Sequence, residues 1–221
     1  MKKLLLLICL LGLLPTITYA DSAYSIRHKD HIRQDYEIHV DFPNFDGLKN
    51  KHLEEEVNEE IKSVLEKSIN QTQKAGEESV GFPVLYYGES IVVEEEQFYS
   101  VVMTANITRG NQYHSTVRSI NFENEKDGVF LTLDEVAHLD KLNEQVKKKL
   151  VSDPETFNAQ GFQGIRKDTA FYIKGKKLTL VFDKYEIASG VFGTPEITIP
   201  YDLVEKDKPL HKKTVPVPKV V

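Results

Sequence analysis

Cysteine is almost missing from this sequence: Cys9 is the single one in 221 residues. Because it lies in an apolar run that reads as a removable leader, the remaining chain offers no disulfide, no thiolate metal site and no cysteine nucleophile. A basic stripe is missing as well. Lys and Arg total 28 against 34 Asp and Glu, a formal charge of −6 with neither sign segregated, which excludes nucleic acid as a partner. Beyond Leu14 no apolar run approaches the roughly 20 residues that a bilayer span needs. The H-E-x-x-H zinc pair, the G-x-S-x-G elbow, the P-loop and the dinucleotide fingerprint are absent too, so no cofactor and no metal is expected.

What is present begins with an address. Lys2-Lys3 precede the apolar residues 4–14, and Thr18-Tyr19-Ala20 stands before Asp21. The pattern predicts a secretory signal peptide over residues 1–20, cleaved after Ala20. Cys9 sits within the apolar run rather than just after a cleavage site, which argues against lipid anchoring. The expectation is an exported protein, periplasmic or extracellular, with no stable membrane insertion after cleavage. A mature chain without cysteine fits a bacterial compartment and must rely on its hydrophobic core. Losing Lys2 and Lys3 shifts the charge from −6 to about −8, which favours a cationic partner by long-range steering.

The chain is organised around residues 171–201. Phe171-Tyr172-Ile173 and Leu178-Thr179-Leu180-Val181-Phe182 flank Lys174-Gly175-Lys176-Lys177, a predicted hairpin whose glycine supplies positive φ. Gly190 and Gly193 then mark a loop, and Pro195 and Pro200 bracket a closing strand. Upstream, Tyr36, Ile38, Val40 and Phe42 alternate with polar residues as in a half-solvated strand. Leu53, Val57, Ile61, Leu65 and Ile69 recur every fourth residue, predicting a helix over about 48–73 whose outer face is acidic. That acidic face reads as solvated rather than metal-binding.

Four short strands are expected at 84–87, 90–95, 98–108 and 113–123, with turns at Gly88, Glu96-Gln97 and Arg109-Gly110-Asn111. Thr132 and Glu135 form a capping box ahead of a helix or helix pair over 133–150. Residues 157–165 read as an irregular loop over the sheet, and residues 205–221 as a disordered tail. The class is α+β, an antiparallel sheet packed with two main helices. The chain divides into a leader (1–20), an N-terminal α+β subdomain (21–125), a C-terminal α+β domain (126–204) and the tail.

Few groups are placed for chemistry. His28 and His31 lie three apart outside any helical pattern, without a matched acidic partner, and read as exposed polar residues. Asp183 and Glu186 are the best candidates for a glycosidase acid–base pair, which would make the chain an enzyme acting on cell-wall glycan; turn-forming Asp and solvated Glu are the plainer reading. Tyr185, Glu186, Ser189, Val191, Phe192 and Thr194, interleaved with Gly190 and Gly193, put aromatic and apolar groups on a bending loop, as at partner contacts. The competing reading folds Tyr185, Val191 and Phe192 inward as a cap.

The same residues resemble a known family. Phe171-Tyr172-Ile173, residues 178–182, Tyr185-Glu186-Ile187-Ala188, Gly193 and Ile199-Pro200-Tyr201 are similar to the closing signature of a bacterial extracytoplasmic domain. That domain is shared by the lysozyme-sensing anti-sigma-V factor and the accessory region of peptidoglycan deacetylase C. Phe42-Pro43, Phe45-Asp46-Gly47-Leu48 and Leu131-Thr132-Leu133-Asp134-Glu135 resemble its earlier parts. The resemblance spans residues 36–204. It implies an α+β domain outside the cytoplasmic membrane that, in the anti-sigma case, binds lysozyme as a protein ligand. Together with the missing catalytic constellation it leads to the expectation of a non-enzymatic binding domain that contacts a protein or peptidoglycan, with the glycan-acting enzyme as the alternative. Where the family loop often carries Pro and Tyr after the Ala, this chain has Ser189-Gly190-Val191-Phe192. No cytoplasmic anti-sigma segment and no deacetylase metal domain are recognisable.

Overall fold

The computed structural model describes residues 22–206, so the leader and all of the tail except Glu205 and Lys206 lie outside the described residues. Helix α1 (Lys51–Glu77) is started by Asn50, whose side-chain oxygen accepts from the N–H groups of His52 and Leu53 at 3.0 and 3.2 Å. Its stripe Leu53, Val57, Ile61, Leu65 and Ile69 is buried. That stripe lies on a five-stranded sheet in the order β1 (Tyr24–Ile32), β2 (Tyr36–Phe45), β3 (Val84–Glu95), β4 (Phe98–Arg109) and β5 (Gln112–Glu123). Because α1 carries the chain from β2 to β3, those two strands pair in parallel; the other pairs are antiparallel.

The second half begins with the short helix α2 (Leu133–Val136), where the Glu135 carboxylate accepts from the Thr132 N–H and hydroxyl, both at 2.7 Å. Helix α3 (Leu139–Ser152) follows after a break at Ala137. The break is filled by the chain's last described residues: the His138 N–H donates to the Val204 carbonyl, and the Lys206 N–H to that of Val136. Strands β6 (Ala170–Lys174), β7 (Lys177–Val181) and β8 (Glu196–Pro200) form an antiparallel sheet. The β6–β7 turn places both Gly175 and Lys176 at positive φ, 57° and 59°, as a two-residue primed turn requires.

The layers run helix, sheet, sheet, helices. Tyr99, Val101, Met103, Ile120 and Phe122 face α1, while Val102 and Val117 on the opposite face meet Ala170 and Val181 of the second sheet. The outer face of the second sheet buries Leu178, Leu180, Ile197 and Ile199 against Leu142, Val146 and Leu150 of α3. Phe157, Phe162 and Ile165 pack on this core from their irregular loop.

The α+β class stands, and the upstream strands form a sheet of their own that covers the C-terminal one. Two features correct what the sequence suggests. One strand pair is parallel. And β3 runs straight through Gly88, because that glycine serves close packing and not a turn: an added Cβ would lie 2.7 Å from Val40 Cγ1 and 2.9 Å from Tyr86 Oη. Gly128 is tighter still, its Cβ position being 2.1 Å from the Glu123 carbonyl and 2.8 Å from Leu53 Cδ2. Gly128→Ala should therefore cost about 1–3 kcal/mol, seen as a lower urea midpoint at unchanged slope.

Candidate functional site

The segment leaving β7 is fastened to the edge of β5 before it opens into a loop. The Lys184 N–H donates to the Ser115 carbonyl at 2.9 Å, and the Val117 N–H donates to Asp183 Oδ1 at 2.7 Å. Arg166 gathers the carboxylates around this anchor. Its Nε lies 3.1 Å from Asp168, one terminal nitrogen 3.6 Å from Asp183, and the other in close contact with Glu186. Arg118 adds a second cation 3.5 Å from Asp183. The Glu186 hydrogen bond raises the Arg166 guanidinium above its ordinary value. Burial alone would raise Asp168, but the hydrogen bond and charge of Arg166 outweigh it and hold the carboxyl below its usual range.

This cluster decides what Asp183 and Glu186 can do. Both oxygens of each carboxylate are engaged, since Glu186 Oε2 also accepts the Asp183 N–H at 3.1 Å. The two side chains brace the base of a loop and do not face each other across a space for substrate, so the geometry gives no support to an acid–base pair.

Above that base the backbone is strained outward. Tyr185 holds φ at 72°, a left-handed conformation rare for an aromatic residue and of a kind that clusters at functional sites. Its ring lies over Gly190, where an added Cβ would come within 2.2 Å of it. Residues Gly190–Phe192 form one 3-10 turn, closed by Gly193 at φ 64°. Ile187 and Ala188 are buried, whereas Tyr185 is 59%, Val191 87% and Phe192 45% exposed. The three residues of the inward-capping alternative, Tyr185, Val191 and Phe192, thus stand outward, while their neighbours Ile187 and Ala188 cover the core. Ser189 is exposed, Thr194 is half-buried, and Glu186 sits below the surface with Arg166.

Two neighbours were not evident from the sequence. Lys184 Nζ stands 3.7 Å over the Tyr113 ring and 5.2 Å from that of Tyr185, so the ammonium is held between two exposed aromatic rings. Tyr113 is fixed by its hydroxyl donating to Asn106 at 2.8 Å, and Ser115 donates to the same oxygen at 2.7 Å. The β4–β5 turn at Gly110 was legible, and register from it places Tyr113 opposite Thr108. That the 183–194 loop would lie beside this hairpin had no local signal.

On the far edge, β1 and β2 correct the reading of His28. Its Nδ1 is 2.6 Å from Asp41 and its Nε2 2.9 Å from Asp30, which in turn lies 2.6 Å from His39. His39 stacks on Tyr87 with centroids 5.2 Å apart. The acidic partners are Asp41 on the paired strand and Asp30 two residues along the same strand, a strand spacing and not a helical one. Among the described residues no group of three or more His, Cys, Asp or Glu could hold a metal ion.

Hydrogen bonds to Asp41 and then Asp30 raise His28 above its ordinary 6.5. Those to His28 and then His39 lower Asp30 below 3.8. A raised histidine stabilises fully below about pH 6.5 and loses that contribution as pH climbs through the folded value. A lowered aspartate stabilises above about 3.8 and loses its contribution as pH falls through the folded value. The midpoint of thermal unfolding should consequently fall at both ends of that window, and His28→Ala should flatten the decline on the alkaline side.

Comparison with known proteins fits this architecture. A family model described as a protein of unknown function, DUF3298, matches residues 131–202, from the approach to α2 through β8. That stretch resembles the family over about a third of the chain. Outside that stretch the likeness continues. Anti-sigma-V factor RsiV of Bacillus subtilis (strain 168) is 28% identical over 186 residues, a match covering 76% of this chain. The chain spans only 64% of that relative's length. A crystal structure of a DUF3298 family member from Bacteroides fragilis NCTC 9343 superposes with a TM-score of 0.56 at 13% identity, covering 81% of this chain and 90% of the other. That likeness concerns the fold alone, and it takes in more of the chain than the DUF3298 stretch. The chain is RsiV-like, and no helix among its described residues is long and apolar enough to cross a membrane.

Proposed function

We propose that this chain is a binding domain of the bacterial envelope, acting outside the cytoplasmic membrane and recognising a folded protein, with a c-type lysozyme as the first candidate. Contact is made by Tyr185, Val191 and Phe192, flanked by Ser189 and Thr194, with Glu186 bracing the loop from beneath. One observation carries the reading: a loop whose base is locked by Arg166, Arg118, Asp183 and Glu186 presents three exposed apolar side chains. Rigid aromatic anchors of this kind contribute most of the free energy at protein interfaces. The RsiV-like character supports an extracytoplasmic sensing or binding role. The acidic charge of the chain favours association with a cationic protein.

Thermal unfolding of the mature chain with and without c-type lysozyme or peptidoglycan fragments tests the proposal. A ligand at a hundred times its dissociation constant stabilises the folded state by about 2.7 kcal/mol, a readily visible shift. Lysozyme should produce that shift. Stabilisation by peptidoglycan fragments alone would replace the protein ligand with a glycan, and no shift with either would defeat the proposal.

A further inference from the structure

A second exposed apolar loop stands at the same end of the molecule. Between α1 and β3, Val80 is 95% and Phe82 70% exposed, on either side of Gly81 at φ 95°. The loop is held in shape: the Ser79 hydroxyl donates to the Phe82 carbonyl at 2.8 Å, and the Ser79 N–H to that of Gly76 at 2.9 Å. It is also tied to the hairpin that carries Tyr113, because the Arg109 guanidinium donates to the Glu78 carbonyl at 2.9 Å.

Strand register places this loop relative to the first. Val84 pairs with Arg109, Arg109 with Gln112 and Thr108 with Tyr113. From β3 to β5 is two inter-strand steps, about 10 Å, and Lys184 and Tyr185 adjoin Tyr113 beyond. The Val80–Phe82 and Tyr185–Phe192 loops therefore rise from one pole of the sheet, with Tyr113 between them. Both described chain ends approach the other pole: Tyr24 pairs with Phe45, and Lys206 bonds Val136, shortly after the Phe122–Phe130 bridge.

We propose that Val80 and Phe82 form a second contact for the protein ligand bound by the 185–194 loop, so that the partner is gripped by two apolar loops with Tyr113 in the saddle. This rests on the function proposed above and extends it. The partner this pole suits is a folded protein with a recess for an aromatic side chain. A membrane suits it less, because Arg33, Lys74 and Arg109 are balanced by Asp35, Glu77 and Glu78, and Lys184, Arg118 and Arg166 by Asp168, Asp183 and Glu186, leaving no basic excess for anionic lipid.

The test uses the mature chain, with c-type lysozyme as probe. Val80→Ser/Phe82→Ser should weaken binding at least tenfold without lowering the unfolding midpoint, and lysozyme should slow amide exchange across residues 78–83. Unchanged affinity and exchange in a protein that does bind lysozyme would overturn this second contact and leave the proposed function standing. If the wild-type chain fails to bind lysozyme, both fall. Phe82-dependent sedimentation with phosphatidylcholine–phosphatidylglycerol vesicles would overturn the inference in favour of a membrane surface.

Discussion

Phe122→Ala is expected to destabilise the protein by about 3–5 kcal/mol, a large share of the 5–15 kcal/mol that holds a typical domain folded. Phe122 is fully buried, stacks on Tyr99 with ring centroids 5.4 Å apart and 9° between planes, and meets Phe45 edge-on at 5.4 Å. Truncation would leave a cavity among these rings under α1, where pairing to β4 on one side and the bridge to Phe130 on the other hold the backbone against collapse. Leu180→Ala, in the other core, should cost about 2–5 kcal/mol. Comparing the two decides how the chain divides. The Phe171 N–H donates to Ser119 Oγ at 2.9 Å, Gly175 N–H to Glu95 at 3.0 Å, and residues 183–184 are bonded to β5. We propose on these ties that the segments 21–125 and 126–204 melt as one cooperative unit, so that both variants lower a single calorimetric transition. Two transitions, each moved by one variant, would show independent domains.

Tyr185→Ala combined with Phe192→Ala should weaken lysozyme binding at least about 30-fold, the equivalent of about 2 kcal/mol, while leaving folding nearly intact. The effect falls on binding because both side chains project from the core, 59% and 45% exposed. Removing the ring of Tyr185 should even ease the backbone, since the left-handed φ of 72° is sustained by the ring lying over Gly190 and the anchor at Asp183. Loss of binding with an unchanged or higher unfolding midpoint is the signature of a residue kept for contact at some cost in strain. An equal fall of midpoint and affinity would instead make Tyr185 a structural cap.

The fold was legible where periodicity and turn chemistry are local. The five-residue stripe of α1, the Thr132–Glu135 capping box and the Gly175 hairpin each depend on residues within a few positions of one another, and each forms as expected. Gly88 misleads because glycine serves two purposes: its space is required by Val40 on the neighbouring strand, which no local pattern reveals. The parallel β2–β3 pair was hidden for a related reason, since alternation within a strand carries no information about the direction of its partner. Of the candidate site, the exposed loop residues were legible from glycine spacing and aromatic content. Arg166 was not, because it reaches Asp183 and Glu186 across the whole β6–β7 hairpin, from residues far apart in sequence that no local pattern links. Nor was Lys184 between Tyr113 and Tyr185, which depends on two sheets meeting along one edge.

Calorimetric titration of the mature chain with c-type lysozyme, at two temperatures, tests the central claim most directly. Recognition by exposed apolar loops predicts a saturable one-to-one heat whose temperature dependence gives a negative heat-capacity change, the mark of apolar surface leaving water. The heat should vanish for Tyr185→Ala/Phe192→Ala at the same concentrations. An absence of saturable binding by the wild-type chain at both temperatures, or binding that the double variant retains in full, would contradict the account.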